Sequence, residues 1–279
     1  MSPLSFTAVC PFAPRVFCAL FLLTLLLTLS NNGFSQEERH PTGELTVFAA
    51  ASLTEPFTEI GKRLETAHPG LKVVFNFAGS PMLRTQLEQG AQADVFAVAD
   101  EAQMELARKS EVVRDAPTIF AQNTLVIIVP KDNPKHVKEF RDLAQSGLTL
   151  DLAGTQVPAG RYSRRAIEQA SADYGADFAL RVLRNIVSEE DNVKQVVAKV
   201  QLGEVDAGIV YVSDVTAKVR NDVRAIPIPE AYNQIASYPI AVTTQARNQS
   251  AAQVFVAFVL SHEGQTILLA HGFRSAREP

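Results

Sequence analysis

The chain has 279 residues, 47% of them hydrophobic and 20% charged. That is enough apolar material for one large domain or two ordinary ones with real cores, and too much for a disordered protein. The formal net charge of −4 comes without acidic or basic blocks, which argues against a nucleic-acid or anionic-membrane surface.

The first 35 residues differ from the rest: Arg15 is their only charge, and Val16 to Ser30 is an unbroken weakly polar run, too short for a comfortable membrane span. One positive charge, an apolar stretch and small residues from Gly33 to Ser35 have the layout of a secretory signal cleaved after Ser35. The other reading is an uncleaved anchor. Cys10 and Cys18 precede or open the apolar run, whereas a lipid-modified cysteine sits at its far end, so no lipoprotein anchor is expected. Cleavage removes both cysteines and with them any disulfide or thiolate chemistry.

From Glu44 onward, short apolar runs alternate with helical patterns. LTVFAA precedes a helix over Leu53 to Ala67, KVVFNFA one over Met82 to Gln89, and ADVFAVA one over Glu101 to Lys109. The helical expectation rests on periodicity, as in Leu53, Phe57, Ile60 and Leu64. Such a βαβα rhythm implies parallel strands covered by helices.

The rhythm restarts after Pro117 with TLVIIVP, an amphipathic segment around Val137 to Ala144, LTLDLAG, and a helix from about Gly160 to Ala172. RNIVSEE, a helix over Val193 to Leu202, AGIVYVSD, a short helix and VRAIPIP follow. SYPIAVTT forms another strand, with helices over Gln249 to Leu260 and Glu263 to His271 behind it. No linker or repeat separates the two α/β units, and pattern alone does not say which sheet these last elements complete.

Four strand ends meet a helix start through small residues: FAAASLT, FAGSPML, QVPAGRY and EEDNVKQ. The first turn of a helix carries N–H groups with no intrahelical partner, and in α/β sheets such turns face the ligand-binding edge at the carboxyl ends of the strands. Free N–H groups and the positive end of a helix dipole make an anion site that needs no lysine or arginine. Ser52 and Ser80 would add hydroxyl donors. Taken singly, each segment reads more simply as a helix cap; their joint occurrence in both units points to a site. Asp191 and Asn192 are expected to cap the helix that Val193 begins, and Tyr211 taken alone reads as a core tyrosine.

In this order, TVFAAASL, FAGS, ADVFAVAD, VPAGRY, the acidic stretch before Val193, GIVYVSD and HGF resemble the periplasmic molybdate-binding proteins of ABC transporters, over roughly Glu44 to Phe273. The resemblance implies an α/β, two-lobed periplasmic binding protein of type II, each lobe a mixed, mainly parallel sheet flanked by helices, with ligand in the interlobe cleft. Residues 1–35 would be the signal, 43–123 and 240–273 lobe 1, and 124–239 lobe 2. Carried over residue by residue, the oxyanion contacts fall on Ser52, Ser80, Ala159, Val193 and Tyr211. The serines would give hydroxyl and backbone donors, Ala159 and Val193 backbone N–H, and Tyr211 its phenol. Pro81 and Val98 depart from the family pattern, which commonly has small polar residues there.

What the resemblance implies is an extracytoplasmic carrier, not an enzyme. It would be a monomer that captures molybdate, and tungstate too, for an inner-membrane permease, with no cofactor, no metal beyond the molybdenum of the ligand, and no nucleic-acid partner. The residue types suit the ligand, because molybdate and tungstate carry no proton at neutral pH and need donors only. Alternatives in the same fold are sulfate or phosphate, the latter wanting an acceptor such as Asp191 or Asp214. Ferric iron favours clustered tyrosines, and no two of the five tyrosines are adjacent. An amino acid wants an arginine, yet Arg161, Arg164 and Arg165 read as a solvated helix face. An exported hydrolase lacks support: the five histidines show no ligand spacing and no nucleophile elbow occurs. A sensory module is disfavoured by the export signal.

Overall fold

A computed structural model describes residues 41–114 and 116–276. The expected signal, residues 1–35, lies outside the described residues together with both cysteines.

Ten strands form one continuous, curled sheet in the order β2-β1-β3-β9-β4-β7-β5-β6, with β8 and β10 also pairing with β4. In the first half, β1 (Gly43–Ala50) runs parallel to β2 (Leu71–Ala78) and β3 (Val95–Ala97). In the second half, β5 (Leu150–Ala153) runs parallel to β6 (Ile186–Glu190) and β7 (Ala207–Tyr211). Strands β4 (Thr118–Pro130) and β9 (Ile235–Val242) are antiparallel to their neighbours.

The long strand β4 joins the halves. Its residues Thr118–Thr124 pair with β9, whereas Leu125–Pro130 pair with β7 and with β8 (Val223–Pro227). β10 (Arg274–Ser275) adds a short pairing to the first part of β4.

Helices cover both faces. α1 (Thr54–Ala67) buries Phe57, Ile60, Gly61 and Leu64, the three- and four-residue spacing of one helical face, and tolerates Pro56 in its first turn, where no N–H partner is lost. Burying each such Leu, Ile or Phe contributes about 1.5–3 kcal/mol. α2 (Ser80–Glu88) and α3 (Glu101–Lys109) complete the first half. α4 (Pro158–Tyr174), α5 (Phe178–Arg184) and α6 (Val193–Gln201) pack on the second.

The closing helices α7 (Gln249–Leu260) and α8 (His262–Ala270) return to the first half. Phe255 of α7 meets Phe57 edge-on, with centroids 5.3 Å apart, and His271 just after α8 lies 3.0 Å from Glu59 of α1.

Three local expectations need correction. The amphipathic segment at Val137–Ala144 is only a 3₁₀ turn over Phe140–Ala144, set by a reciprocal Glu139/Asp142 capping arrangement that buries Phe140 and Leu143 in too few residues for an α-helix. The short helix after AGIVYVSD is two 3₁₀ turns, Val212–Asp214 and Val219–Asn221. α5 was not expected; its seven residues bury only Phe178 and Val182, too few to show a period.

Candidate functional site

Four helix starts and one strand end converge on a single hollow between the two halves of the sheet. Ser52, Ser80, Ala159, Val193 and Tyr211 all line it, and of the described residues around it none carries a charge. The five expected residues are thus brought together and none is left outside.

Ser52 sits in a 3₁₀ turn, Ala51–Leu53, between β1 and α1. Its hydroxyl caps nothing: no side chain caps the start of either this turn or α1. Instead Ser52 Oγ lies 3.0 Å from the Tyr238 hydroxyl. Ser80 is the first residue of α2, after Gly79, and again no side chain caps the helix. Ser80 Oγ accepts the N–H of Ala99 at 3.2 Å. Pro81 takes the second helical position, among the N–H groups that lack an intrahelical partner.

From the second half, α4 begins at Pro158 with no side-chain cap, leaving the first-turn N–H groups of Ala159 and Gly160 without intrahelical partners. Gly160 is required by space, since a Cβ there would stand 2.0 Å from the Ala153 carbonyl oxygen. α6 begins at Val193, and Asn192 alone caps it, accepting from the N–H groups of Lys194 at 3.0 Å and Gln195 at 3.3 Å. Asp191, the other expected cap, instead donates its N–H to Gln195 Oε1 at 3.0 Å.

Tyr211 ends β7 and is 1% exposed, and its hydroxyl has no hydrogen-bond partner among the described residues. Burial, then the neighbouring Tyr238, pushes its pKa well above the ordinary phenol range, so it is a fixed O–H donor. It is a core tyrosine by packing, edge-on to Tyr238 at 5.8 Å, yet its polar end is unspent. An unpaired buried hydroxyl costs roughly 1–3 kcal/mol.

Ion pairs cross between the halves on two sides of the hollow. Lys194, next to Val193, reaches Glu55 of α1 at 2.8 Å and also lies 3.4 Å from the buried Asp214. Burial works against the Lys194 ammonium, but Asp214 and Glu55 outweigh it and raise its pKa. On the other side Arg161, two residues after Ala159, pairs with Asp100, the 1% exposed cap of α3. Arg164 donates to the Ala153 carbonyl at 2.9 Å and to Glu189 at 2.7 Å. Arg161 and Arg164 are therefore structural partners rather than a purely solvated face; of the three, Arg165 is the most open to solvent.

Sequence reasoning missed Glu55, Asp100, Lys194 and Tyr238. Glu55 directly follows one of the four small-residue segments and Lys194 lies within another, a signal that could have drawn attention to them; Asp100 lies in none. Tyr238 has none, because its proximity to Ser52 exists only in the folded sheet. Among the described residues no cluster of three His, Cys, Asp or Glu side chains could hold a metal ion.

A family model described as bacterial extracellular solute-binding protein matches residues 45–274. The molybdate-binding protein ModA of Mycobacterium tuberculosis is 40% identical over 255 residues, covering 90% of this chain and 94% of its own length. That of Escherichia coli is 30% identical over 240 residues, covering 83% and 89%. Among solved structures, the substrate-binding domain of a putative molybdenum ABC transporter from Clostridium difficile superposes with a TM-score of 0.62 at 28% identity, covering 84% of this chain and 99% of that one. The Azotobacter vinelandii periplasmic molybdate-binding protein superposes with a TM-score of 0.71 at 19% identity over 82% and 98% of the two chains, a likeness of fold.

Proposed function

The chain belongs to the bacterial extracellular solute-binding proteins, and on that basis we propose that it captures molybdate, and tungstate with it, and delivers the anion to an ABC permease. It acts as a periplasmic monomer exported by residues 1–35, catalyses no reaction and uses no cofactor. Residues 43–123 with 240–273 form the lobe that carries Ser52 and Ser80; residues 124–239 form the lobe that carries Ala159, Val193 and Tyr211.

One observation carries the reading: an uncharged hollow lined by two serines, a tyrosine and two helix-start residues, drawn from both halves of the sheet. A tetrahedral dianion offers acceptors only, and these groups can all donate. Hydrogen bonds to a charged partner contribute roughly 1.5–3 kcal/mol each, so five of them supply roughly 7.5–15 kcal/mol before desolvation and closure are offset, a range that spans the approximately −8 kcal/mol of micromolar binding. Donors divided between lobes favour the closed form selectively, and closure is the state a permease can read.

Calorimetric titration of the purified protein with molybdate, tungstate, sulfate and phosphate tests this. Saturable binding of the first two, with sulfate much weaker, is the expected result. Equal affinity for molybdate and sulfate would refute the selectivity, and no binding of any of the four the whole reading.

A further inference from the structure

The start of α3 is held from both halves of the protein. Asp100 caps this helix, its Oδ1 accepting the Gln103 N–H at 2.8 Å. Its Oδ2 accepts from the guanidinium of Arg161 on α4, in the opposite half. Beside it the buried Gln103 donates its Nε2 to the carbonyl of Gln156, also of the opposite half, at 3.5 Å. These contacts stand at the wall of the hollow. Ala99, one residue before Asp100, lines it and donates its N–H to Ser80 Oγ, and Ala159, two residues before Arg161, lines it from the other half.

The two ion pairs that flank the hollow are not equivalent. In the pair of Lys194 with Glu55 the carboxylate is 36% exposed, so water hydrates it whether the halves are together or apart. Asp100 is 1% exposed, and its ion-pair partner among the described residues is Arg161. An ionised carboxylate taken out of water needs a countercharge, and here the countercharge comes from the other half. When the halves separate, Asp100 regains water and keeps its bond to the Gln103 N–H, which lies within its own half. When they meet without the guanidinium, the carboxylate is buried uncompensated.

We propose that Arg161 is a positioning residue for capture: by neutralising Asp100 only when the halves meet, it holds them together over the bound oxoanion and slows its release. The inference rests on the oxoanion reading of the site. Arg161 does not itself line the hollow, so it acts through Asp100 rather than on the ligand.

Two substitutions and their combination test it. Arg161→Met keeps the apolar stem and removes the charge. Asp100→Asn keeps the cap, since asparagine caps a helix as well as aspartate does, and removes the opposite charge. Molybdate affinity by calorimetry and molybdate release by stopped-flow tyrosine fluorescence are measured for the wild type, both single variants and the double variant, with thermal unfolding of each ligand-free protein as the control for folding. Arg161→Met is expected to weaken molybdate by about tenfold or more, through faster release, because one partner of a buried pair is lost. Asp100→Asn leaves no charge to bury and is expected to weaken it by less than about threefold; added to Arg161→Met, it should restore affinity toward that level. All four ligand-free proteins are expected to unfold near one temperature. A loss in Arg161→Met that Asp100→Asn does not restore, as direct attraction of the anion by Arg161 would give, would overturn the positioning role while leaving the molybdate reading intact. So would a ligand-free Arg161→Met protein destabilised as much as its complex. A wild type that binds no molybdate would overturn both.

Discussion

The carbonyl oxygen of Asp191 lies 2.1 Å from the point where a Cβ on Gly79 would stand. Gly79 precedes Ser80 and Asp191 lies two residues before Val193, so the two halves of the protein touch backbone to backbone beside the hollow. The φ and ψ of Gly79, −62° and 138°, are open to any residue. Space alone demands glycine there.

Gly79→Ala is therefore expected to hold the halves apart. Overpacking costs roughly 1–3 kcal/mol, and charged to closure alone that lowers molybdate affinity by about 5- to 150-fold. The ligand-free protein, free to separate its halves, should unfold near the wild-type temperature. Titration and thermal unfolding of the same preparation check the two halves of this statement, and unchanged affinity would mean that the bound form is more open.

Tyr211→Phe separates function from stability in the other direction. The buried hydroxyl has no partner among the described residues, so its removal is expected to leave the ligand-free protein as stable as before or more so, by up to about 1 kcal/mol. Molybdate affinity should fall by at least tenfold as a donor to a charged ligand is lost. A fall in the ligand-free melting temperature would indicate that the hydroxyl supports the fold.

Lys194 and Glu55 should respond unequally to substitution. Glu55→Gln removes a part-exposed cross-half pair, worth about 1 kcal/mol or less, and is expected to weaken anion binding by a few-fold without unfolding the protein. Lys194→Met also strips the buried Asp214 of its countercharge, and losing one partner of a buried pair costs on the order of 3–5 kcal/mol. Its melting temperature should drop well below that of Glu55→Gln in parallel thermal scans; similar melting points would mean that Asp214 is held neutral.

Asp151 makes the stability depend on pH. It is fully buried and neither carboxyl oxygen has a hydrogen-bond partner among the described residues. Burial, with repulsion from Glu190 and against the pull of Lys199, raises its pKa to about 7. The folded protein thus binds the proton more tightly than the unfolded chain does, and this contribution to stability is lost as pH rises from about 4 through 7. Asp151→Asn is expected to raise the melting temperature by several degrees at pH 8 and far less at pH 5. Equal shifts at both would show that the carboxyl is not protonated in the fold.

Where the chain's periodicity was long, its elements were legible. Leu53, Phe57, Ile60 and Leu64 mark α1, and Val193, Val196, Val197 and Val200 mark the buried face of α6. α5 and the turn at Phe140–Ala144 were not, since two buried side chains each give no period. β4 was read six residues short: its first part, Thr118–Asn123, mixes buried and half-exposed positions, and only pairing with β9 makes it a strand.

For the site, the sequence by itself determined the donors. Small residues at strand ends followed by helix starts dictate free N–H groups, a local consequence of backbone geometry that needs no tertiary contact. Whether Ser52 and Ser80 cap their helices or line the hollow was decided by the fold alone, because a hydroxyl chooses among whatever partners are brought within reach. So too were the return of β9, α7 and α8 to the first half, the ion pairs of Lys194 and Arg161, and the meeting of Tyr238 with Ser52, 186 positions apart. Contacts between residues so distant in sequence leave no mark on local pattern.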